Sequence, residues 1–238
     1  MAIRALIFDF DGLILDTETP DVEVWKALYA EHGQPYPVEY WSQTIGGWGN
    51  SNFDPATALQ ALLPGALDAG ALRRRHREQS DALILAAPVM EGVREVLEAA
   101  RRMSLRCAVA SSSERDWVEP HLMRLGLRGY FERITTGDDV GPGRTKPHPD
   151  IYLKALATLQ LGPREVLALE DSPNGIQAAR SAGLRAVVVP NPVTRLLRLE
   201  ADLVLRSLSE IPLEEMLRRV EARPEGRKIS RAVQDATA

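Results

Sequence analysis

Arg4-Ala-Leu-Ile-Phe-Asp-Phe-Asp-Gly12 is an apolar run that stops abruptly on two acids, Asp9 and Asp11, and a glycine. A strand buried on both faces reads as continuous apolar sequence, and ligands of open α/β sheets sit just beyond the carboxyl ends of their strands. The stretch therefore predicts a buried parallel strand that places Asp9 and Asp11 where chemistry is done. Two acids two residues apart repel, so keeping both ionised calls for a cation or a network of hydrogen-bond donors. Taken alone, the same ending also fits a solvated strand exit in which aspartate forms a turn.

Working outward, short apolar or β-branched runs recur at Ile3 to Phe8, Cys107 to Ala110, Arg133 to Thr136, Val166 to Leu169, Ala186 to Val189 and Asp202 to Leu205. Helical patterns separate the later ones. Ser113-Glu-Arg-Asp116 resembles a capping box and predicts a helix through Leu125 with Gly126 as its stop, which would make Ser113 the helix cap. Pro149 opens another helix, carried by Ile151, Leu153, Leu156 and Leu159 up to Gly162. Ser172-Pro173 reads as an N-cap with proline in the first helical position, and Gly183 ends that helix. Repeated strand and helix mean a doubly wound parallel sheet with right-handed crossovers and helices on both faces.

The stretch from Asp16 to Ala87 breaks this rhythm, with several helical patterns and no convincing strand. It predicts an inserted helical domain at 16–87, a discontinuous core at 1–15 and 88–222, and a flexible tail at 223–238. A first helix beginning at Thr19-Pro20 would carry Asp21 and Glu23 near its positive end and bury Val22, Trp25, Leu28 and Tyr29 before Gly33 stops it. Three of the four tryptophans, Trp25, Trp41 and Trp48, fall in the insert. Trp25 reads as core, whereas Trp48, inside Gly46-Gly-Trp-Gly49, is a candidate to face a ligand.

Composition narrows the function classes. The 238 residues are 45% hydrophobic and 26% charged, with a formal net charge of -4, enough for one good core and a smaller second one. That balance offers no basic field for nucleic acid. The amino terminus does not read as a signal peptide, and no stretch approaches the roughly 20 apolar residues of a membrane span. The single cysteine, Cys107, lies in an apolar run and reads as a buried structural thiol. A cytoplasmic enzyme, monomeric by default, is expected.

Three further signals fall at or beside strand ends. The strand ending at Ala110 runs into Ser111-Ser112-Ser113 before a helix, where the Ser111 hydroxyl and the Ser112 N–H would make an anion site. Lys146 stands in the stiff loop Gly141-Pro-Gly-Arg-Thr-Lys-Pro-His-Pro149, which could hold its ammonium against a phosphate or carboxylate; the alternative is an exposed loop lysine. Val166-Leu-Ala-Leu-Glu-Asp-Ser172 is a second apolar strand ending in acids, and Asp171 would face Asp9 and Asp11 if the two strands are neighbours. Several oxygen ligands converging beside a phosphate site are what magnesium uses.

In this order the four signals closely resemble those of the haloacid dehalogenase superfamily, over Ile3 to roughly Val189. The matching residues are Asp9-Phe-Asp-Gly12, Ser111, Lys146 in Lys-Pro-His-Pro-Asp150, and Glu170-Asp-Ser-Pro-Asn-Gly175. The resemblance implies a Rossmann-like core. The position of the insert and the phrase Leu15-Asp-Thr-Glu18 imply a helical cap of the β-phosphoglucomutase-like branch. It further implies Asp9 as a nucleophile forming an aspartyl phosphate, and Asp11 as the acid that protonates the leaving oxygen and then deprotonates water. Magnesium would be bound by Asp9, Asp171, the backbone carbonyl of Asp11 and, through a water, Glu170. Ser111, Ser112 and Gly12 would surround the phosphoryl group, with Lys146 offsetting its charge.

Asp11 separates phosphoryl chemistry from dehalogenation, which needs no leaving-group acid and lacks this aspartate in the superfamily. A phosphosugar mutase of this branch is expected to carry an arginine in the cap loop, where Gly46-Gly-Trp-Gly-Asn50 has none, and a histidine where Asp21 stands. The expectation is thus a magnesium-dependent phosphatase of a small phosphorylated metabolite, with the mutase as nearest alternative and a non-catalytic phosphometabolite-binding regulator as one of another class. Within Arg73-Arg-Arg-His-Arg77, Arg75 is the candidate substrate anchor; the alternative is a solvated helix face.

Overall fold

The structure, a computed structural model, describes residues 2–37, 53–63, 65, 67–197, 199–223 and 229–231. Strand β1 (Ala5–Phe8) is buried along its whole length, as its uninterrupted apolar sequence requires. It lies between β2 (Arg106–Ala110) and β4 (Val166–Glu170), with Leu6 opposite Cys107 on one side and Leu167 on the other. Adding β3 (Arg133–Thr135), β5 (Arg185–Val188) and β7 (Leu203–Val204) gives a six-stranded sheet in the order β3-β2-β1-β4-β5-β7, parallel at every pairing. Because the three central strands run the same way, Asp9, Ser111 and the Glu170-Asp171 pair emerge at one edge.

Alternation along the strands builds the two faces. Leu6, Phe8, Val109, Leu167, Leu169 and Val187 pack against α4 (Val93–Arg102), α5 (Arg115–Arg124) and α8 (Leu213–Glu221). On the other face Ala5, Ile7, Ala108, Ala110, Ala168 and Ala186 meet α6 (Asp150–Leu159) and α7 (Pro173–Ser181). This is the parallel sheet covered by helices on both faces that the strand and helix rhythm predicts, in the Rossmann-like form that the resemblance implies.

The segment after β1 folds into helices α1 (Glu18–Glu31), α2 (Pro55–Leu62) and α3 (Ala69–Ala86), and among the described residues it holds no strand. Val22, Trp25, Leu28, Tyr29, Leu59 and Leu72 form its own apolar cluster. Asp54 and Asp68 cap α2 and α3 by accepting from Thr57 N and Gly70 N. The chain enters and leaves side by side: Leu15 bridges Val89, and Met90 N donates to Ile14 O at 3.0 Å.

Some local expectations are corrected, while those for Trp25 and Cys107 hold. Ser113 does not cap a helix; α5 starts one residue later than that cap would allow, with Glu114 at the N-cap and no side-chain bond there. Leu153 is 48% exposed, because the buried stripe of α6 runs through Ile151, Tyr152, Ala155, Leu156 and Leu159 and leaves position 153 on the opposite side. The expected tail from Arg223 contains β8 (Ile229–Arg231), which pairs antiparallel with β6 (Leu199–Ala201). Trp25 is core, stacked on His76 with ring centroids 4.2 Å apart. Cys107 is buried, and burial pushes its thiol up to about 12, which removes it as a nucleophile. Trp41, Trp48 and the Gly46–Asn50 loop lie outside the described residues. No helix among the described residues is long and apolar enough to cross a membrane.

Candidate active site

Asp9 continues the ladder of β1, its N–H donating to Leu169 O at 2.9 Å. Its carboxylate therefore leaves the sheet beside the end of β4. Lys146 comes to it from the other side: the ammonium lies 2.5 Å from Asp9 Oδ1 and 2.6 Å from Glu170 Oε1. At 3% side-chain exposure it is no exposed loop lysine. Its backbone N–H donates to Ser112 Oγ at 3.3 Å, joining its loop to the serine segment after β2.

Glu170 is enclosed. It accepts from the Tyr152 hydroxyl as well as from Lys146, and a Cβ on Gly175 would fall 1.8 Å from its Oε2. The glycine of Glu170-Asp-Ser-Pro-Asn-Gly175 is thus required by close approach, and Ser172, which accepts from Gly175 N, caps α7 at the same place. Asp171 is oriented by Asn191, whose Nδ2 lies 2.8 Å from Asp171 Oδ2 and 2.7 Å from Glu18 Oε2. Asn191 is itself fixed, since its Oδ1 accepts from the N–H groups of Val193 and Thr194. Gly12 sits beneath this group with φ of +80°, and a side chain there would collide with Asp171 and Asn191.

Carboxylate oxygens of Asp9, Glu170 and Asp171 lie within 4.8 Å of one another, all three residues buried. Burial pushes Asp9 up to about 7 against the pull of Lys146, and burial with the Asn191 bond opposing takes Glu18 up to about 8. Asp171 is raised well above the usual carboxylate range by burial and by its neighbours Glu18, Asp9 and Glu170. Among the described residues, Asp9 and Glu170 share the Lys146 ammonium, while Asp171 and Glu18 stand beside them joined through Asn191. An all-oxygen donor set with excess negative charge fits a hard divalent cation such as magnesium.

Asp11 is turned the other way. Its Oδ2 accepts from Ser113 Oγ at 2.7 Å and Ser111 Oγ at 3.2 Å, and its Oδ1 from Trp117 Nε1 at 2.9 Å. Ser111 is completely buried and also accepts from Ser113 N, so its hydroxyl stands between Asp11 and the helix entrance. The structure therefore brings Asp9, Asp11, Gly12, Ser111, Ser112, Lys146, Glu170 and Asp171 to one end of the sheet. Arg75 is engaged elsewhere, in a two-pronged pair with Glu31 on the exposed side of the helical insert, each contact 2.6 Å.

Sequence reasoning missed Trp117, Asn191, Tyr152 and the placement of Glu18, and it misassigned Ser113. A signal existed for Asn191, which follows the end of β5 in Pro190-Asn191-Pro192 as the acids follow β1 and β4. None existed for Trp117 or Tyr152, which reach the site from helices.

Residues 3–183 match the haloacid dehalogenase-like hydrolase family. The chain is 41% identical to the protein YhcW of Bacillus subtilis over 216 residues, covering 90% of this chain and 96% of that one. It is 34% identical to the fructose-1-phosphate phosphatase YqaB of Escherichia coli, covering 77% and 95%. Among solved structures, a variant of CbbY from Rhodobacter sphaeroides in complex with xylulose-(1,5)bisphosphate superposes with a TM-score of 0.65 at 29% identity, covering 89% of this chain and 98% of that one.

Proposed function

This chain belongs to the haloacid dehalogenase-like hydrolase family, and from that membership we propose that it is a magnesium-dependent phosphatase of a small phosphorylated sugar or similar metabolite, acting in the cytoplasm. The observation that carries the reading is the division of the two acids of β1. Asp9 sits with Lys146 and the other buried carboxylates, while Asp11 is held apart by hydroxyl and indole donors. Relatives acting on, or bound to, phosphorylated sugars support the substrate class.

Asp9, Asp171, the Asp11 carbonyl and, through a water, Glu170 would hold the magnesium ion. Bound there, the ion supplies positive charge against the phosphoryl oxygens, which a carboxylate must otherwise approach against repulsion. Lys146 offsets the charge of Asp9 and of the incoming phosphoryl group, and Glu170 with Tyr152 keeps the ammonium in place. The Ser111 hydroxyl and Ser112 N–H bind phosphoryl oxygens. An Asp9 oxygen attacks phosphorus as the ester P–O bond breaks, and Asp11 gives its proton to the departing oxygen. Asp11 then takes a proton from water as that water attacks phosphorus, the bond to Asp9 breaks, and phosphate leaves. The helical insert at 16–87 acts as the cap that covers the bound metabolite and excludes bulk water.

Incubation with a panel of sugar phosphates and magnesium is expected to release inorganic phosphate, and chelation is expected to stop it. Interconversion of sugar phosphates without net phosphate release would favour a mutase instead.

A further inference from the structure

Asp11 and the helix that holds it carry an inference about how the second acid is controlled. An ionised carboxylate only accepts hydrogen bonds, and an indole N–H only donates. With Trp117 on Oδ1 and Ser111 and Ser113 on Oδ2, both oxygens of Asp11 are committed to donors. A carboxylate held by three donors is fixed in direction, so turning either oxygen toward a leaving group requires some of these bonds to break. Part of the contact is also contested, because Ser111 is wanted by the phosphoryl group; Trp117 has no such second partner.

Trp117 is itself a firm anchor. Its ring meets His121 edge to face at 4.5 Å, one turn along α5. Arg124 lies on the same helix face, at 3.4 Å from His121 Nδ1. The Arg124 guanidinium donates to Ala87 O at 3.0 Å and Ile84 O at 3.3 Å, two carbonyls at the end of α3 where the insert returns to the core. The side-chain row Trp117, His121, Arg124 thus runs from Asp11 to the joint between insert and core.

We propose that Trp117 is a positioning residue that parks Asp11 away from the leaving oxygen until a substrate phosphoryl group takes Ser111. The proposal rests on the phosphatase reading. A charge-assisted bond of this kind weights the parked arrangement by about tenfold or more, and the working arrangement is rarer by that factor.

Trp117→Phe keeps the ring on His121 and removes the N–H. The test is single-turnover phosphorylation of Asp9 with magnesium, using fructose 1-phosphate, whose alkoxide needs a proton, and p-nitrophenyl phosphate, whose phenolate does not. The variant is expected to react about tenfold or more faster than wild type with the alkyl ester and within about twofold of it with the aryl ester. Slower reaction with the alkyl ester, equal slowing of both, or no change would overturn the parking role. A second measurement needs no turnover: the Trp117 indole ¹⁵N–H signal, identified by its loss in Trp117→Phe, is expected to shift in Asp11→Ala. An indole signal indifferent to Asp11→Ala overturns the contact even in a protein that hydrolyses both esters. Wild-type protein that hydrolyses neither overturns the phosphatase reading, whatever the indole does.

Discussion

A Cβ placed on Gly12 would fall 2.4 Å from Asp171 Oδ2, so the strand end of β1 and the acid after β4 fit together only because position 12 has no side chain. Its φ of +80° adds a second demand for glycine. Gly12→Ala is therefore expected to displace Asp171, lower phosphate release by about a hundredfold or more and destabilise the fold by about 1–3 kcal/mol. Steady-state assays and thermal unfolding with and without magnesium check both effects.

Asn191 acts on the same acid from the other side. Its amide bridges Asp171 and Glu18 and is locked by two backbone donors. Asn191→Ala is expected to raise the magnesium concentration needed for half-maximal activity by about 10–100-fold, the usual effect of removing a group that orients a metal ligand. Activity titrated against magnesium measures it, and an unchanged midpoint would mean that Asp171 is oriented without Asn191.

The buried carboxyls give the metal-free protein a pH dependence of definite sign. Asp9 rises from 3.8 to about 7 and Glu18 from 4.5 to about 8 on folding, so between roughly pH 4 and pH 8 the folded state binds more protons than the unfolded chain. Stability is then full below the unfolded values and lost as pH rises through the folded ones. Denaturation in the presence of a chelator is expected to show lower stability at pH 8 than at pH 5, and magnesium is expected to reduce the difference.

Among the described residues, Lys146 is the single ammonium paired with these acids. Lys146→Met leaves Asp9 and Glu170 without their counter-charge and is expected to abolish activity and cost about 3–5 kcal/mol in the metal-free protein at neutral pH, the effect of breaking a buried pair. Urea unfolding measures the loss. The deficit relative to wild type should shrink as the pH falls through about 7, where Asp9 takes up its proton.

How legible all this was in the sequence follows from which interactions are local. The run Ala5 to Phe8, the Ser172-Pro173 cap and the acidic strand ends could be read because their periodicity and capping depend on neighbours in the chain. The gathering of Asp9, Ser111 and Asp171 followed from strand ends sharing one edge of a parallel sheet, and Lys146 joins them from the loop before α6. What stayed hidden depends on contacts across the chain. Trp117 reaches Asp11 over 106 positions with no local pattern to mark it, and Asn191 reaches Glu18 over 173, marked only by its place after the end of β5. Ser113 shows the reverse failure: a serine at a helix entrance reads as a cap by local rules, yet its hydroxyl is drawn to the Asp11 carboxylate.

Trapping the covalent intermediate tests the nucleophile most directly. Protein quenched during turnover of a sugar phosphate with magnesium, then reduced with borohydride to convert any acyl phosphate to homoserine, is expected to carry that change at Asp9 alone. Phosphate release that continues undiminished in Asp9→Asn, or homoserine at another carboxylate, would contradict the assignment of Asp9 as the group that takes the phosphoryl.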